Sequence, residues 1–254
     1  MVLSEKQVRA DIVEVGRRIY EREYAAANDG NISARLPDGT ILTTPTGVSK
    51  GSLTPDMLVK IDGEGRVLEG YLRPSSEIRL HLVVYRKRAD AGAVVHAHPM
   101  AATAFAVAGI PLDRFTLPEV ILNVGWVPLA KYGTPSTEEL AQSVEEFLEN
   151  HDAILLQNHG VLTVAEDPVH ALFKMETVEH FARISLYARL LGRENELPDE
   201  QLQRLLAVRE AMHMPGRHPG LSRVRDAGAA DAAGQAGPAG RANPDGASKN
   251  ITMP

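Results

Sequence analysis

Two histidines stand one residue apart at the end of an apolar run, in the stretch AVVHAHP at residues 93–99. In a β-strand, residues i and i+2 point to the same face, so His96 and His98 can direct their imidazoles at one ion. The alternative is that both histidines end a strand and form ordinary hydrogen bonds. The pair alone is compatible with a metal site and with a structural role.

A third histidine follows another apolar run, in the stretch LLQNHG at residues 155–160. If the strand that ends at His159 neighbours the strand with the first pair, the three imidazoles can converge on one ion. Three histidine ligands and an open coordination position are typical of a metal that acts as a Lewis acid. Taken by itself, His159 is a loop histidine.

An acid and two serines open a predicted helix in the stretch PSSE at residues 74–77. Ser75 and Ser76 suit N-cap positions, and the same helix start favours a bound anion because free N–H groups point outward. Glu77 is the candidate catalytic acid, although any first helical turn favours a carboxylate. His81 can share its helical face, where a supporting or core role is the simpler interpretation.

Two glycine-containing loops, DGNIS at residues 29–33 and TPTGVSK at residues 44–50, offer backbone and hydroxyl donors. Glycine lets the backbone approach a ligand closely, and Lys50 adds a positive charge. Such loops fit phosphate binding. The candidate phosphate site comprises Asn31, Thr46, Gly47, Ser75 and Ser76. From the residues alone, the sequence indicates a metal-assisted enzyme for a small phosphorylated substrate.

Helices and strands must alternate to position these residues. An amphipathic helix with Ser4 as N-cap is predicted over residues 4–24, and Asp38-Gly39 and Gly63-Glu64-Gly65 predict hairpin turns between antiparallel strands. A capping box at Ser136 or Thr137 predicts a helix over residues 136–150, and Gly160 predicts a turn between two later strands. Further helices are predicted at about residues 74–88, 100–109, 168–192 and 198–213. The expected fold class is α/β, in an α+β-like three-layer form with a central, mostly antiparallel sheet flanked by helices.

Composition sets limits on the class of protein. The 254 residues carry a formal net charge of −6, which does not favour binding to nucleic acid. The absence of cysteine excludes thiolate ligands and a cysteine nucleophile. We expect no membrane association and a cytoplasmic location, because no long apolar run and no secretory signal are visible. Residues 1–215 are predicted to form one domain, and the Ala/Gly-rich residues 216–254 a disordered tail.

The motifs GNIS, TPTG, PSSE, VVHAHP and LLQNHG occur in this order, and the order resembles the class II aldolase/adducin family, most of all its L-fuculose-1-phosphate aldolases. The resemblance covers about residues 5–210. It implies a zinc-dependent aldolase with one Zn²⁺, or another divalent metal, per subunit. It also implies a homotetramer with active sites at subunit interfaces.

The resemblance assigns roles to the candidate residues. The metal ligands are His96, His98 and His159, with Glu77 as a further ligand when no substrate is bound. Glu77 is also the catalytic acid–base, and the five loop residues bind the substrate phosphate. The implied reaction cleaves a ketose 1-phosphate, such as L-fuculose 1-phosphate, into dihydroxyacetone phosphate and a small aldehyde of the lactaldehyde type, through a metal-stabilised enediolate.

One departure from the family pattern concerns a tyrosine that protonates the oxygen of the aldehyde product. The matching segment here is FTLPEVILNVGWVPLAKY, residues 115–132, and no tyrosine stands at that place. Glu119 is the candidate replacement, or else the aldehyde differs from lactaldehyde. The alternatives to an aldolase are a related metal-dependent sugar-phosphate dehydratase, decarboxylase or 4-epimerase, and a non-enzymatic adducin-like scaffold. The 4-epimerases usually carry Asp at the position of Glu77, which favours the aldolase.

Overall fold

One sheet of eight strands organises the part of the chain that the computed structural model describes, residues 3–221. The strands are β1 (Asn31–Arg35), β2 (Ile41–Thr43), β3 (Val59–Ile61), β4 (Val67–Glu69), β5 (Ala93–Ala97), β6 (Leu129–Ala130), β7 (Ala153–Leu156) and β8 (Gly160–Ala165). Their order across the sheet is β4-β3-β2-β1-β5-β8-β7-β6. Every neighbouring pair is antiparallel except β6 and β7, which confirms the mostly antiparallel sheet.

Helices cover both faces of the sheet. They are α1 (Glu5–Glu21), α2 (Ile78–Lys87), α3 (Met100–Val107), α4 (Pro118–Asn123), α5 (Glu138–Ser143), α6 (Pro168–Leu190) and α7 (Asp199–Ala211). One apolar cluster joins the sheet to α1, α3 and α6, and a second joins its other face to α2 and α5. A third, smaller cluster lies between α4 and α7. The fold is therefore the predicted three-layer arrangement.

The first helix shows why the sequence folds as predicted. Its apolar residues recur at steps of three and four, and Val8, Ile12, Val15 and Ile19 are all buried. Ser4 is the N-cap, and its side chain accepts a hydrogen bond from the backbone N–H of Gln7. Local capping and apolar periodicity act together to fix this helix against the sheet.

Two local predictions are wrong in detail. The predicted helix over residues 136–150 is regular only over α5, and Thr137 is its N-cap without a side-chain capping bond. Glu139 instead accepts a hydrogen bond from the backbone N–H of Thr134. The turn between β7 and β8 lies before Gly160, with Asn158 at a φ of 56°, so Gly160 begins β8. Asparagine tolerates this left-handed conformation better than most residues.

Residues 216–221, which composition places in the predicted tail, contact the domain. The backbone N–H of Arg217 donates to the buried carboxylate of Asp152 at 2.9 Å, and His218 Nε2 donates to the carbonyl of Ile121 at 2.6 Å. The rest of the predicted tail lies outside the described residues. Within residues 3–221, no helix combines the length and the apolar character that crossing a bilayer requires.

Candidate metal and phosphate site

Three imidazole rings converge where β5 ends and the β7–β8 turn begins. The ring centroids lie 5.0 Å apart for His96 and His98, 4.6 Å for His96 and His159, and 5.1 Å for His98 and His159. One nitrogen from each ring lies within 4.8 Å of the other two. The structure therefore brings together the three histidines that the sequence singled out.

Strand pairing brings the third histidine to the first two. One neighbour of β5 is β8, with Ala97 opposite Val161. The strand that precedes His159, β7, lies beyond β8, so the expectation that it neighbours β5 is wrong. The β7–β8 hairpin then returns the turn to the end of β5. Gly160 is required here because a Cβ atom at this position would lie 2.5 Å from the His98 ring. The sequence pattern indicates this glycine only as a turn residue.

A backbone carbonyl orients the His96 ring through a hydrogen bond, and a carboxylate lies near the outer nitrogen of the His98 ring. His96 Nδ1 donates to the carbonyl of Val161 at 2.9 Å, which leaves the Nε2 lone pair free. His98 Nδ1 lies 3.8 Å from the Asp29 carboxylate, and its Nε2 lies 3.2 Å from His96 Nε2. Carbonyls and carboxylates behind metal-ligating imidazoles set the tautomer and the ring orientation in this way.

Burial keeps the histidines in the form that binds metals. Burial lowers the pKa of His96 well below its ordinary value, and the neighbouring His98 and His159 rings lower it further. Burial also lowers the pKa of His98 and that of His159. Neutral imidazoles keep a lone pair for a metal, so the cluster is poised to bind a cation at neutral pH.

Glu77 completes the cluster from the start of α2. Its Oε1 lies 3.3 Å from His159 Nε2, and its Oε2 lies 3.5 Å from His96 Nε2. Asn31 Nδ2 donates to Oε2 at 2.9 Å, whereas Oε1 is buried without a hydrogen-bond partner. Three imidazole nitrogens and one carboxylate oxygen form a donor set that suits zinc, so these residues fit a bound divalent metal.

Strand β1 holds α2 through alternate residues. Ser33 Oγ lies 2.7 Å from His81 Nδ1 and 2.8 Å from the Tyr85 hydroxyl, and the Arg35 guanidinium lies over the Tyr85 ring. His81 is fully buried, and burial lowers its pKa to about 3. His81 is thus a neutral supporting residue one helical turn after Glu77. We call these contacts, together with the bond from Asn31 to Glu77, the β1–α2 contact.

The candidate phosphate residues line one pocket of about 300 Å³ together with two of the three clustered histidines. The pocket contains all five predicted positions, and Glu77, His98 and His159 border the same space. Gly47 has a φ of +75°, with no atom within 4 Å of the place where a Cβ would lie, so its backbone faces open space. Ser75 does not cap α2: Glu77 is the N-cap, and Ser75 Oγ accepts from its backbone N–H.

The pocket also contains residues outside the predicted set, namely Asn28, Asp29, Gly30, Pro45, Lys50, Pro135 and Ser136. The two glycine-containing loops contain or adjoin Asn28, Asp29 and Lys50. Their position in the chain could therefore have predicted that they line the pocket. Pro135 and Ser136 approach from a distant segment and carried no such signal. Glu119 is exposed on α4 and is not among the pocket residues, so one chain does not bring it to the site.

Comparisons with known proteins agree with this geometry. The family model for the class II aldolase and adducin N-terminal domain matches residues 10–186. The chain is 35% identical over 185 residues to 3-oxo-tetronate 4-phosphate decarboxylase of Escherichia coli strain K12, covering 71% of this chain and 86% of the relative. It is also 35% identical over 176 residues to L-fuculose phosphate aldolase of a Methanococcus maripaludis strain, covering 69% and 94%.

A solved structure of a similar protein superposes on this chain. The L-fuculose-1-phosphate aldolase of Thermus thermophilus superposes with a TM-score of 0.67 at 36% sequence identity, covering 76% of this chain and 100% of that one. The relatives thus include an aldolase and a decarboxylase. With the matched sequence, the shared fold and a histidine group that could hold a metal, the chain belongs to the class II aldolase/adducin family, and it is an enzyme of that superfamily.

Proposed function

We propose that this chain is a metal-dependent lyase that breaks a carbon–carbon bond beside the carbonyl of a small phosphorylated keto sugar. The observation that carries the proposal is one pocket lined by His98 and His159 of the histidine cluster, by Glu77 and by the five residues of the candidate phosphate site. A metal at one end and anion donors at the other suit a substrate with a carbonyl a few bonds from its phosphate. We propose Zn²⁺, one per subunit, because the donor set is nitrogen and carboxylate oxygen.

The first candidate reaction is aldol cleavage of a ketose 1-phosphate such as L-fuculose 1-phosphate. Breaking the C3–C4 bond leaves its electron pair on C3, which gives the enediolate of dihydroxyacetone phosphate and a small aldehyde. The C4 hydroxyl must lose a proton in the same step, and we propose Glu119 of a neighbouring subunit as the acceptor, because Glu119 lies outside the pocket of its own chain. The relatives named as fuculose phosphate aldolases support this candidate.

The second candidate is decarboxylation of a 3-oxo-tetronate 4-phosphate. The C1 carboxylate leaves as CO₂, and its bonding electrons stay on C2, which gives the same enediolate. This reaction needs no acid–base group at an aldehyde oxygen. The decarboxylase relatives support this candidate at 35% identity, the same identity as the aldolase relative, and the position of Glu119 outside the pocket of its own chain suits a reaction without that step.

The chain's own residues have the same tasks in both reactions. His96, His98 and His159 would hold the metal, with Glu77 as a further ligand until substrate binds, and the metal when bound would supply a Lewis acid at the substrate carbonyl. Glu77 returns a proton to the enediolate carbon, because it is the carboxylate beside the cluster whose Oε1 lacks a hydrogen-bond partner. Thr46, Gly47 and the two serines hold the phosphate and so orient the carbon that reacts.

Product analysis separates the candidates. Zinc-loaded protein is incubated with L-fuculose 1-phosphate, related ketose 1-phosphates and a 3-oxo-tetronate 4-phosphate, and the products are identified. An aldolase releases an aldehyde with dihydroxyacetone phosphate, and a decarboxylase releases CO₂ with the same phosphate. Metal analysis of the sample should give about one zinc per chain. No turnover of any of these substrates would reject the proposal.

From the family resemblance we further propose a homotetramer whose sites lie at subunit interfaces. Exposed apolar side chains at the end of α6, such as Leu190 at 75% and Leu191 at 86% exposure, are compatible with a covered surface in an assembly. Light scattering coupled to size-exclusion chromatography gives the mass directly. A monomeric mass in an active sample would reject this part of the proposal.

A further inference from the structure

A lysine is buried in the wall of the phosphate pocket. Lys50 is 2% exposed, and it is among the largest fully buried side chains of the described residues. Its ammonium donates to the carbonyl of Asn28 at 2.9 Å and to the carbonyl of Val48 at 2.7 Å. These carbonyls belong to the two loops that border the pocket, so one side chain ties both loops together.

The charge of this ammonium has no ion-pair partner among residues 3–221. Burial lowers the pKa of Lys50 to about 8. Asp29, which is charged and lines the same pocket, raises this pKa, but its effect is smaller. An ammonium has three donors, and two carbonyl bonds leave one unassigned. A buried cation without a paired carboxylate is destabilising, which argues against a purely structural role.

We propose that Lys50 supplies the positive charge that holds the phosphate end of the substrate, a contribution that rests on the proposed function and adds to the neutral donors of the loops. The four side-chain candidates for the phosphate site, Asn31, Thr46, Ser75 and Ser76, are neutral, and Gly47 contributes only its backbone. A phosphate carries close to two negative charges, whereas Asp29 and Glu77 add negative charge to the same pocket. Lys50 is the cation that lines it, and a bound phosphate would supply the missing counter-charge.

Two substitutions separate charge from loop anchoring. Lys50→Met removes both the charge and the donors, and Lys50→Gln removes the charge but keeps N–H donors for the loop carbonyls. Lys60→Met is the matched control, because Lys60 pairs with Glu5 away from the pocket and its loss changes the net charge equally. Thermal unfolding of each variant reports whether the fold is retained.

Binding of inorganic phosphate to the zinc-loaded protein is then measured by calorimetry. We expect Lys50→Gln to weaken phosphate binding on the order of tenfold or more, as for loss of a charge-assisted contact, and Lys60→Met to leave it unchanged. Wild-type affinity in a folded Lys50→Gln protein would overturn the role of Lys50 alone. Absence of phosphate binding by the wild-type protein would instead contradict the proposed function as well. If Lys50→Met does not fold, the Gln variant still decides the question.

Discussion

Asn31 Nδ2 donates a hydrogen bond of 2.9 Å to Glu77 Oε2, and the same asparagine lies opposite His96 in the β1–β5 register. One residue of β1 therefore fixes the carboxylate at the start of α2 relative to the strand that carries His96. The bond occupies Oε2 and leaves Oε1 free beside His159. Asn31 thus orients the Glu77 carboxylate besides lining the pocket.

Asn31→Leu keeps the volume of the side chain and removes its donor. A lost hydrogen bond to a charged group is worth about 1.5–3 kcal/mol, so we expect kcat to fall by roughly ten- to a hundredfold. Zinc content should stay near that of the wild-type protein, because the three histidines are unchanged. Steady-state kinetics and metal analysis of the same sample test this prediction, and an unchanged kcat would contradict it.

Glu77→Gln tests the acid–base role directly. Removal of a general acid–base group costs on the order of 10²–10⁴ in rate, so we expect kcat to fall by that factor while the three histidines still bind metal. Glu119→Gln is the comparison variant, because Glu119 is exposed on α4 and outside the pocket of its own chain. Equal losses in both variants would show that Glu119 acts in a site after all, across a subunit interface.

Ser33→Ala tests the β1–α2 contact. The buried Ser33 hydroxyl joins His81 and Tyr85, and its loss leaves two buried polar groups without this partner. We expect the free energy of unfolding to fall by about 1–3 kcal/mol. Chemical denaturation measures it, and Ser52→Ala at an exposed position is the control. A change as small as that of the control would argue that the contact adds nothing to stability.

The sequence predicts the candidate site residues where they lie close together in the chain. The order of the five motifs, the i and i+2 spacing of His96 and His98, and the helix start at PSSE predict the cluster that the structure contains. His159 comes close to His96 and His98 because β8 pairs with β5 across more than sixty residues of chain. The condition stated from the sequence, that the strand ending at His159 neighbours β5, is not met, since β7 lies beyond β8. Residue spacing does not report such long-range pairing.

Two predictions show what spacing alone cannot resolve. Glu119 is a candidate only because of its place in the chain, whereas the orientation of α4 leaves it exposed. Composition predicts that a disordered tail begins at residue 216. In the structure, Arg217 is hydrogen-bonded to Asp152, and His218 to the carbonyl of Ile121. Both outcomes depend on tertiary contacts that no local pattern contains.

The buried His151 should make the free energy of unfolding depend on pH. It is 6% exposed, and burial lowers its pKa to about 4, whereas an unfolded histidine titrates near 6.5. Between pH 6.5 and 4 the unfolded chain therefore binds the extra proton, and stability falls as the pH falls through this range. His151→Gln should make the decline shallower by up to about 1.4 kcal/mol per pH unit. Urea denaturation across this range is the measurement, and an unchanged slope would contradict the prediction.

Hydrogen exchange into dihydroxyacetone phosphate tests directly whether this protein forms an enediolate. Both candidate reactions pass through its enediolate, so the enzyme must also remove and return the C3 proton of the product. Zinc-loaded protein in D₂O should place one deuterium at C3, detected by NMR, and Glu77→Gln should abolish the exchange. Zinc-loaded wild-type protein that binds dihydroxyacetone phosphate but leaves its C3 protons unexchanged would contradict the account.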